Sequence, residues 1–206
     1  MAHYGKFEYW EDRYDKDREQ YDWYQKYSGC KDCITQYITR DAKILMLGCG
    51  NAKLSEEMYF DGFTKIDNVD ISGAVIAQQQ ERYATKIPEM KWTRMDGKDM
   101  RLDDGPPKDG KDPKEGFEDG SFDTIIDKAC LDSVLCGENS APNSKLMLDE
   151  IYRVLSANGV YICVSYGLPE MRMVYFNKYD WKVTIQKVTK PTVSVKTVIE
   201  ADVKDK

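Results

Sequence analysis

The stretch Lys43-Ile44-Leu45-Met46-Leu47-Gly48-Cys49-Gly50-Asn51 constrains this chain most. Four apolar residues in succession, with no polar alternation, read as a short buried strand. The glycines then turn the chain, and a helix pattern from Ala52 to Asp61 follows, with Leu54 and Met58 four apart. Strand, glycine turn and helix is how an α/β domain brings backbone N–H groups close to a nucleotide-like ligand. Twenty residues after Gly50, Asp70 ends a second apolar run, where an acid can hold the two hydroxyls of a ribose. The turn alone is equally consistent with any tight α/β connection that has an acid in the next loop.

Strand and helix patterns then alternate. Lys65–Asp70 is a second strand, and Ser72 is placed to cap a helix running to about Tyr83. Met90–Arg94 is a third strand. Asp96 follows it on the same sheet edge, either as a second acid at the site or as a turn former before Gly97. Ser121–Asp127 is a fourth strand, ending in a loop that holds Lys128 and Asp132. A helix capped by Asn143 or Ser144 carries Leu146, Leu148, Ile151, Val154 and Leu155 and closes at Asn158-Gly159. Val160–Ser165 is the fifth strand. Such alternation implies βαβ crossovers and a parallel sheet covered on both faces. The pattern then changes: Trp181–Val188 and Val193–Ala201 each alternate with period two and have no helix between them, which predicts an antiparallel hairpin.

Two segments stand apart from this rhythm. Residues 1–28 are dense in aromatics, and Trp10 and Tyr14 share a face if Glu8–Arg18 is helical. This segment is expected to lie as a cover over the glycine turn, with its rings either lining a ligand site or only filling space. Residues 30–40 lead into the first strand as a helix. Residues 101–120 carry Gly, Pro and mixed charge with almost nothing apolar, and are expected to form a mobile solvated loop. With 206 residues the chain suits one domain over 1–206: a helical cover (1–40), a cofactor-binding core (41–166) and a hairpin region (167–206).

Several function classes are disfavoured. The formal net charge of -6 argues against a nucleic-acid partner, which usually meets a basic stripe. No apolar run approaches the ~18 residues of a membrane span. Met1–Gln20 lacks the apolar core of a secretory signal and the acid-poor character of a transit peptide, so a cytoplasmic location is expected. The single histidine, His3, leaves little room for His-dependent nucleophilic chemistry. Cys30-Lys31-Asp32-Cys33 is a lone CxxC without the second pair or histidines of a zinc site, so no metal is expected. Gly48-Cys49-Gly50-Asn51-Ala52-Lys53 lacks the third glycine of a dinucleotide fingerprint, and no GK[ST] follows as in a P-loop.

A set of motifs narrows the choice. Tyr9-Trp10-Glu11-Asp12-Arg13-Tyr14, Tyr21-Asp22-Trp23-Tyr24, Leu47-Gly48-Cys49-Gly50-Asn51, Asp61-Gly62-Phe63, Met95-Asp96, Ser121-Phe122-Asp123, Asp127-Lys128 with Leu131-Asp132, and Arg153-Val154-Leu155 span most of the chain. On these the sequence resembles the elongation factor 1A lysine methyltransferases and related methyltransferase-like proteins. The resemblance implies a Rossmann-like α/β class I fold of seven strands, mostly parallel and closed by the antiparallel hairpin. It implies binding of S-adenosyl-L-methionine (SAM), with S-adenosyl-L-homocysteine as product, and methyl transfer to a protein lysine. A translation elongation factor is the implied partner.

By the same resemblance Trp10, Tyr14, Trp23, Gly48, Asp70, Ile71, Asp96, Gly97 and Lys128 would contact the cofactor, and Gly50 joins them because a residue without a side chain lets the backbone approach it. Asp70 would accept from the ribose hydroxyls and Asp96 from the adenine amino group, with Ile71 and Gly97 on the ring faces. Lys128 would act through its ammonium or its backbone carbonyl, or be a plain exposed lysine. Asp132 and Asp127 would attract and position the acceptor ammonium. The sequence departs from the family where Ala129-Cys130 replaces the more usual Gly-Thr, in the longer 101–120 loop and after Tyr166. A second reading is a methyltransferase-fold protein serving as a non-catalytic structural or assembly subunit, with or without SAM, since fold alone does not prove activity.

Overall fold

A computed structural model of the chain describes residues 3–101 and 116–189. In chain order its elements are α1 (Phe7–Lys16), α2 (Tyr27–Thr35), β1 (Ile44–Leu47), α3 (Leu54–Phe60), β2 (Ile66–Asp70), α4 (Gly73–Tyr83), β3 (Lys91–Arg94), β4 (Phe122–Lys128), α5 (Cys130–Leu135), α6 (Ser140–Val154), β5 (Leu155–Val164) and α7 (Pro169–Phe176). The strands pair in the order β3-β2-β1-β4-β5, every pair parallel.

β1 shows why an unbroken apolar run suits the centre of such a sheet. All four of its residues are buried. Successive side chains point to opposite faces, so Ile44 and Met46 enter one core layer and Leu45 and Leu47 the other. The first layer packs beneath α1 to α4, through Tyr14, Ile34, Met58 and Val75 among others. The second packs beneath α5 and α6, through Leu131, Met147, Leu148 and Ile151. The strand order runs outward from β1 to β3, then resumes on the far side with β4. Loops on either side of that reversal diverge, and a cleft opens at the carboxyl ends of the strands.

The parallel sheet agrees with the sequence; of the closing hairpin, only the first expected strand falls within the described residues, and it is not a strand. Residues 181–189 form no strand. Their period-two pattern finds no ladder partner among the described residues, and Lys182–Val188 is exposed. The segment is instead held by side chains: Trp181 stacks on Tyr179 (4.7 Å), and the Gln186 amide donates to the Tyr37 hydroxyl (2.9 Å). Val193–Ala201 lies outside the described residues, as do 102–115 of the expected loop. The end of that loop is anchored: Phe117 donates its amide to the Met100 carbonyl (2.8 Å) and its ring meets Phe122 edge-on at 4.8 Å.

Other boundaries moved for local reasons. The glycine turn is longer than expected, so α3 starts at Leu54. Helix α6 starts at Ser140, before the expected caps, because Pro142 fits a first turn where its missing N–H has no partner to lose. Its end moves as well: Leu155 is already extended and enters β5, with a register shift opposite Phe122/Thr124. The Ser72 cap is present, its hydroxyl accepting from the Val75 amide at 3.3 Å.

Candidate functional site

The glycine turn sets the floor of the cleft. Gly48 and Gly50 both sit in the left-handed region, φ 64° and 54°. A Cβ on Gly48 would fall 2.6 Å from the Cys130 sulfur, and one on Gly50 would fall 2.8 Å from the Tyr14 hydroxyl. Both glycines are therefore required twice, by backbone conformation and by space. Asp70, at the end of β2, closes the turn: its Oδ2 accepts from the Gly50 amide (2.9 Å) and its Oδ1 from the Ser72 amide (3.0 Å). Burial raises the Asp70 carboxyl above its ordinary range, and these amides only partly offset that.

A wall of aromatics stands over the turn. Trp10 stacks between Tyr4 and Tyr14, each at 5.8 Å, and meets Trp23 at 6.2 Å. The wall is fixed to the core by α1, whose Glu11 carboxylate accepts from the Ser72 hydroxyl (2.7 Å) at the start of α4. Asp96 lies across the cleft beyond β3, with Oδ1 accepting from the Lys98 amide (2.9 Å).

Residues 19–25 form a strap across the strand ends, pinned at three points. Asn51 in the glycine turn donates to the Glu19 carbonyl (2.5 Å) and accepts from the Tyr21 amide (3.2 Å). The Lys128 ammonium, at the end of β4, donates to Asp22 Oδ1 (2.9 Å) and to the carbonyls of Trp23 and Gln25 (3.1 Å each). Tyr24, held at φ 61°, donates its hydroxyl to Asp132 Oδ2 (2.7 Å). Lys128 is only 5% exposed in its side chain, so the exposed-lysine alternative falls, and its three donors are all spent on the strap.

One cleft is lined by all ten residues assigned to cofactor from the sequence: Trp10, Tyr14, Trp23, Gly48, Gly50, Asp70, Ile71, Asp96, Gly97 and Lys128. Asp127 and Asp132 do not line it. Asp127 is wholly buried, and its Oδ1 accepts from the Cys130 amide (2.7 Å) while Oδ2 accepts from the Tyr161 hydroxyl (2.9 Å). It thereby caps α5, whose own cap residue, Ala129, has no side-chain oxygen and sits at φ 76°. Burial pushes Asp127 up to about 6 despite those bonds.

Asp132, on α5, accepts from Tyr24 and the Tyr166 amide at Oδ2, and from Ser165 (2.6 Å) and Arg172 (2.7 Å) at Oδ1. Burial alone would raise it, but these donors hold it below the usual carboxylate range. The sequence reading missed the roles of Glu11, Asp22, Tyr24 and Arg172. Asp22 and Tyr24 meet partners more than 100 residues away, a distance no local pattern can signal. Burial pushes Cys30 up to about 11 and raises Cys49 and Cys130 well above the ordinary thiol value, so these three are not thiolates at neutral pH.

Comparison with known proteins adds a frame. A family model described as a methyltransferase domain matches residues 38–197. The human eEF1A lysine and N-terminal methyltransferase is 32% identical over 97% of this chain, which spans 27% of that protein's length. The chain thus covers about a quarter of the first curated relatives it matches. Mouse EEF1A lysine methyltransferase 4 is 30% identical over 86% of this chain and 68% of its own. Among solved structures, a glycopeptide N-methyltransferase complexed with S-adenosyl-L-homocysteine aligns with a TM-score of 0.50 at 14% identity. The alignment covers 70% of this chain and 54% of the other, a likeness of fold.

Proposed function

From the premise that the chain belongs to the methyltransferase-domain family, we propose that it is a SAM-dependent protein-lysine N-methyltransferase. The single observation that carries this reading is the convergence of Gly48, Gly50, Asp70, Ile71, Asp96 and Gly97 with the aromatic wall on one cleft. The donor set fits the cofactor. Gly48 and Gly50 leave a cradle that a Cβ would fill. Asp70 and Asp96 each keep carboxylate lone pairs beyond the amides they accept from, enough for the ribose hydroxyls and the adenine amino group. Ile71 and Gly97 offer flat apolar contact to the ring. Trp10, Tyr14 and Trp23 exclude water and tolerate a nearby sulfonium against their faces.

When bound, SAM supplies an electrophilic methyl carbon: an amine lone pair forms the N–C bond, the C–S pair returns to sulfur to give S-adenosyl-L-homocysteine, and the methylated ammonium releases a proton to water. The chain's own part is orientation and dryness rather than strong base catalysis. Lys128 contributes by holding the strap closed over the cleft. Asp127 holds α5, and Asp132 stands at the acceptor end. The acceptor is a protein, and elongation factor 1A, named for the relatives, is the first one to test.

Incubation of the purified chain with methyl-labelled SAM and a cell extract tests the reading. A labelled protein band, lost with Asp70→Ala as SAM affinity falls in calorimetry, is the expected result. SAM binding without any transfer would instead favour the non-catalytic subunit.

A further inference from the structure

Asp132 ties together three segments that are remote in sequence. Tyr24 brings the strap, Ser165 and the Tyr166 amide bring the turn after β5, and Arg172 brings α7. The cluster borders the cleft: Ala129, Cys130 and Ser133 from the same short segment line it, and so does Trp23, next to Tyr24. We propose that Tyr24, Asp132 and Arg172 form a clasp across the acceptor end of the cleft, in which the Arg172 guanidinium holds the place of the acceptor lysine's ammonium until that lysine displaces it. The proposal rests on the reading of the cleft as a site of lysine methyl transfer.

Four features carry it. First, the guanidinium lies directly over Gly167, where a Cβ would stand 2.3 Å from its central carbon, so the glycine leaves room for it. Second, the ion pair is one-sided. Nε (3.1 Å) and Nη2 (2.7 Å) both donate to Oδ1, while Oδ2 is taken by Tyr24 and the Tyr166 amide. A fork across both oxygens would be the stronger and more specific grip, so a point-charge ammonium can compete for this one. Third, α7 has no fully buried residue: Met171 and Val174 face solvent around Arg172, and packing on the core is confined to Tyr175 and Phe176 at the helix end, so the turn that carries Arg172 is lightly held. Fourth, the Tyr166 ring, 67% exposed, stacks on Tyr24 at 5.9 Å and offers an apolar wall for the methylenes of an incoming lysine. Asp127 cannot take the same part, because it is fully buried beneath α5.

The test uses the full chain saturated with S-adenosyl-L-homocysteine, with Nα-acetyl-L-lysine amide as probe and the norleucine analogue as the uncharged control. The lysine probe, and not the control, is expected to raise amide hydrogen exchange across residues 165–176. Arg172→Met is expected to bind the lysine probe about tenfold more tightly, since a competing closed state no longer taxes the affinity. Arg172→Lys should stay close to wild type, and S-adenosyl-L-homocysteine affinity should be unchanged throughout. Gly167→Ala, which crowds the guanidinium without deleting it, provides an independent route to the same gain if Arg172→Met folds poorly. Unchanged or weaker lysine affinity in folded Arg172→Met and Gly167→Ala overturns the clasp and makes Arg172 a structural brace. A wild-type chain that shows the lysine-specific exchange yet labels no protein in an extract counts against methyl transfer and leaves the clasp standing.

Discussion

At the scale of single residues, the site depends on backbone positions that tolerate almost no side chain. Gly50 is the sharpest case, with φ 54° and the Tyr14 hydroxyl 2.8 Å from where a Cβ would stand. Gly50→Ala is expected to cost about 1–2 kcal/mol in left-handed strain. It should also push Tyr14 out of the aromatic wall, so thermal unfolding falls by several degrees and SAM affinity falls with it. Unaltered unfolding would mean that the turn can relax out of the left-handed region. Ala129 shows the opposite situation. It occupies φ 76° where the resembled family more usually has glycine, and the chain tolerates the strain because Asp127 caps α5 in its place.

Among the elements, the strap over the strand ends decides whether the cleft is a closed site or an open groove. It has no regular hydrogen-bonding pattern of its own, so its order derives from side chains elsewhere. Lys128 supplies the largest share, with all three donors on residues 22–25 and a side chain sealed from water alongside Asp22. Lys128→Met keeps much of the stem but strands the Asp22 carboxylate and two carbonyls. Breaking a buried pair from one side is expected to cost on the order of 3 kcal/mol. Limited proteolysis should then cut within 19–25, a region expected to resist in the wild type. A variant that resists cutting as well as wild type would show that Asn51 and Asp132 hold the strap without Lys128. The helix α5 belongs to the same argument, since its first turn carries both Cys130 against Gly48 and Asp132 against the strap.

Across the whole molecule, buried carboxylates set how stability responds to pH. Asp127 has its folded value raised from 3.8 to about 6, chiefly by burial. A carboxyl raised in the folded state contributes stability that is fully present below the unfolded value and is lost as pH climbs through the folded one. Asp132 is lowered, so its contribution is present above the ordinary carboxylate value and is lost as pH falls. Between about pH 4 and 6, Asp127 therefore works against the general gain of stability on leaving acid. Denaturant unfolding at several pH values should show Asp127→Asn gaining on wild type across that window, by on the order of 2 kcal/mol. A constant difference between the two proteins would mean that Asp127 titrates alike when folded and unfolded.

Much was legible before any coordinate was known, because it depends on neighbours in the chain. The unbroken run Ile44–Leu47 requires burial on both faces, and that makes it a central parallel strand. Gly48 and Gly50 announce a turn that only glycine makes cheaply, and Ser72 announces a cap three residues from its partner. Tertiary structure alone decided the rest. Trp181–Val188 alternates as a strand should, yet a strand needs a neighbour for its backbone donors and acceptors, and the described residues provide none. Lys128 and Asp132 read from the sequence as a cofactor-site or plain loop lysine and an acid at the acceptor mouth. Folding delivered Asp22, Trp23, Gln25 and Arg172 to them, and the ion pairs and hydrogen bonds that resulted depend on distances in space that sequence separation does not encode.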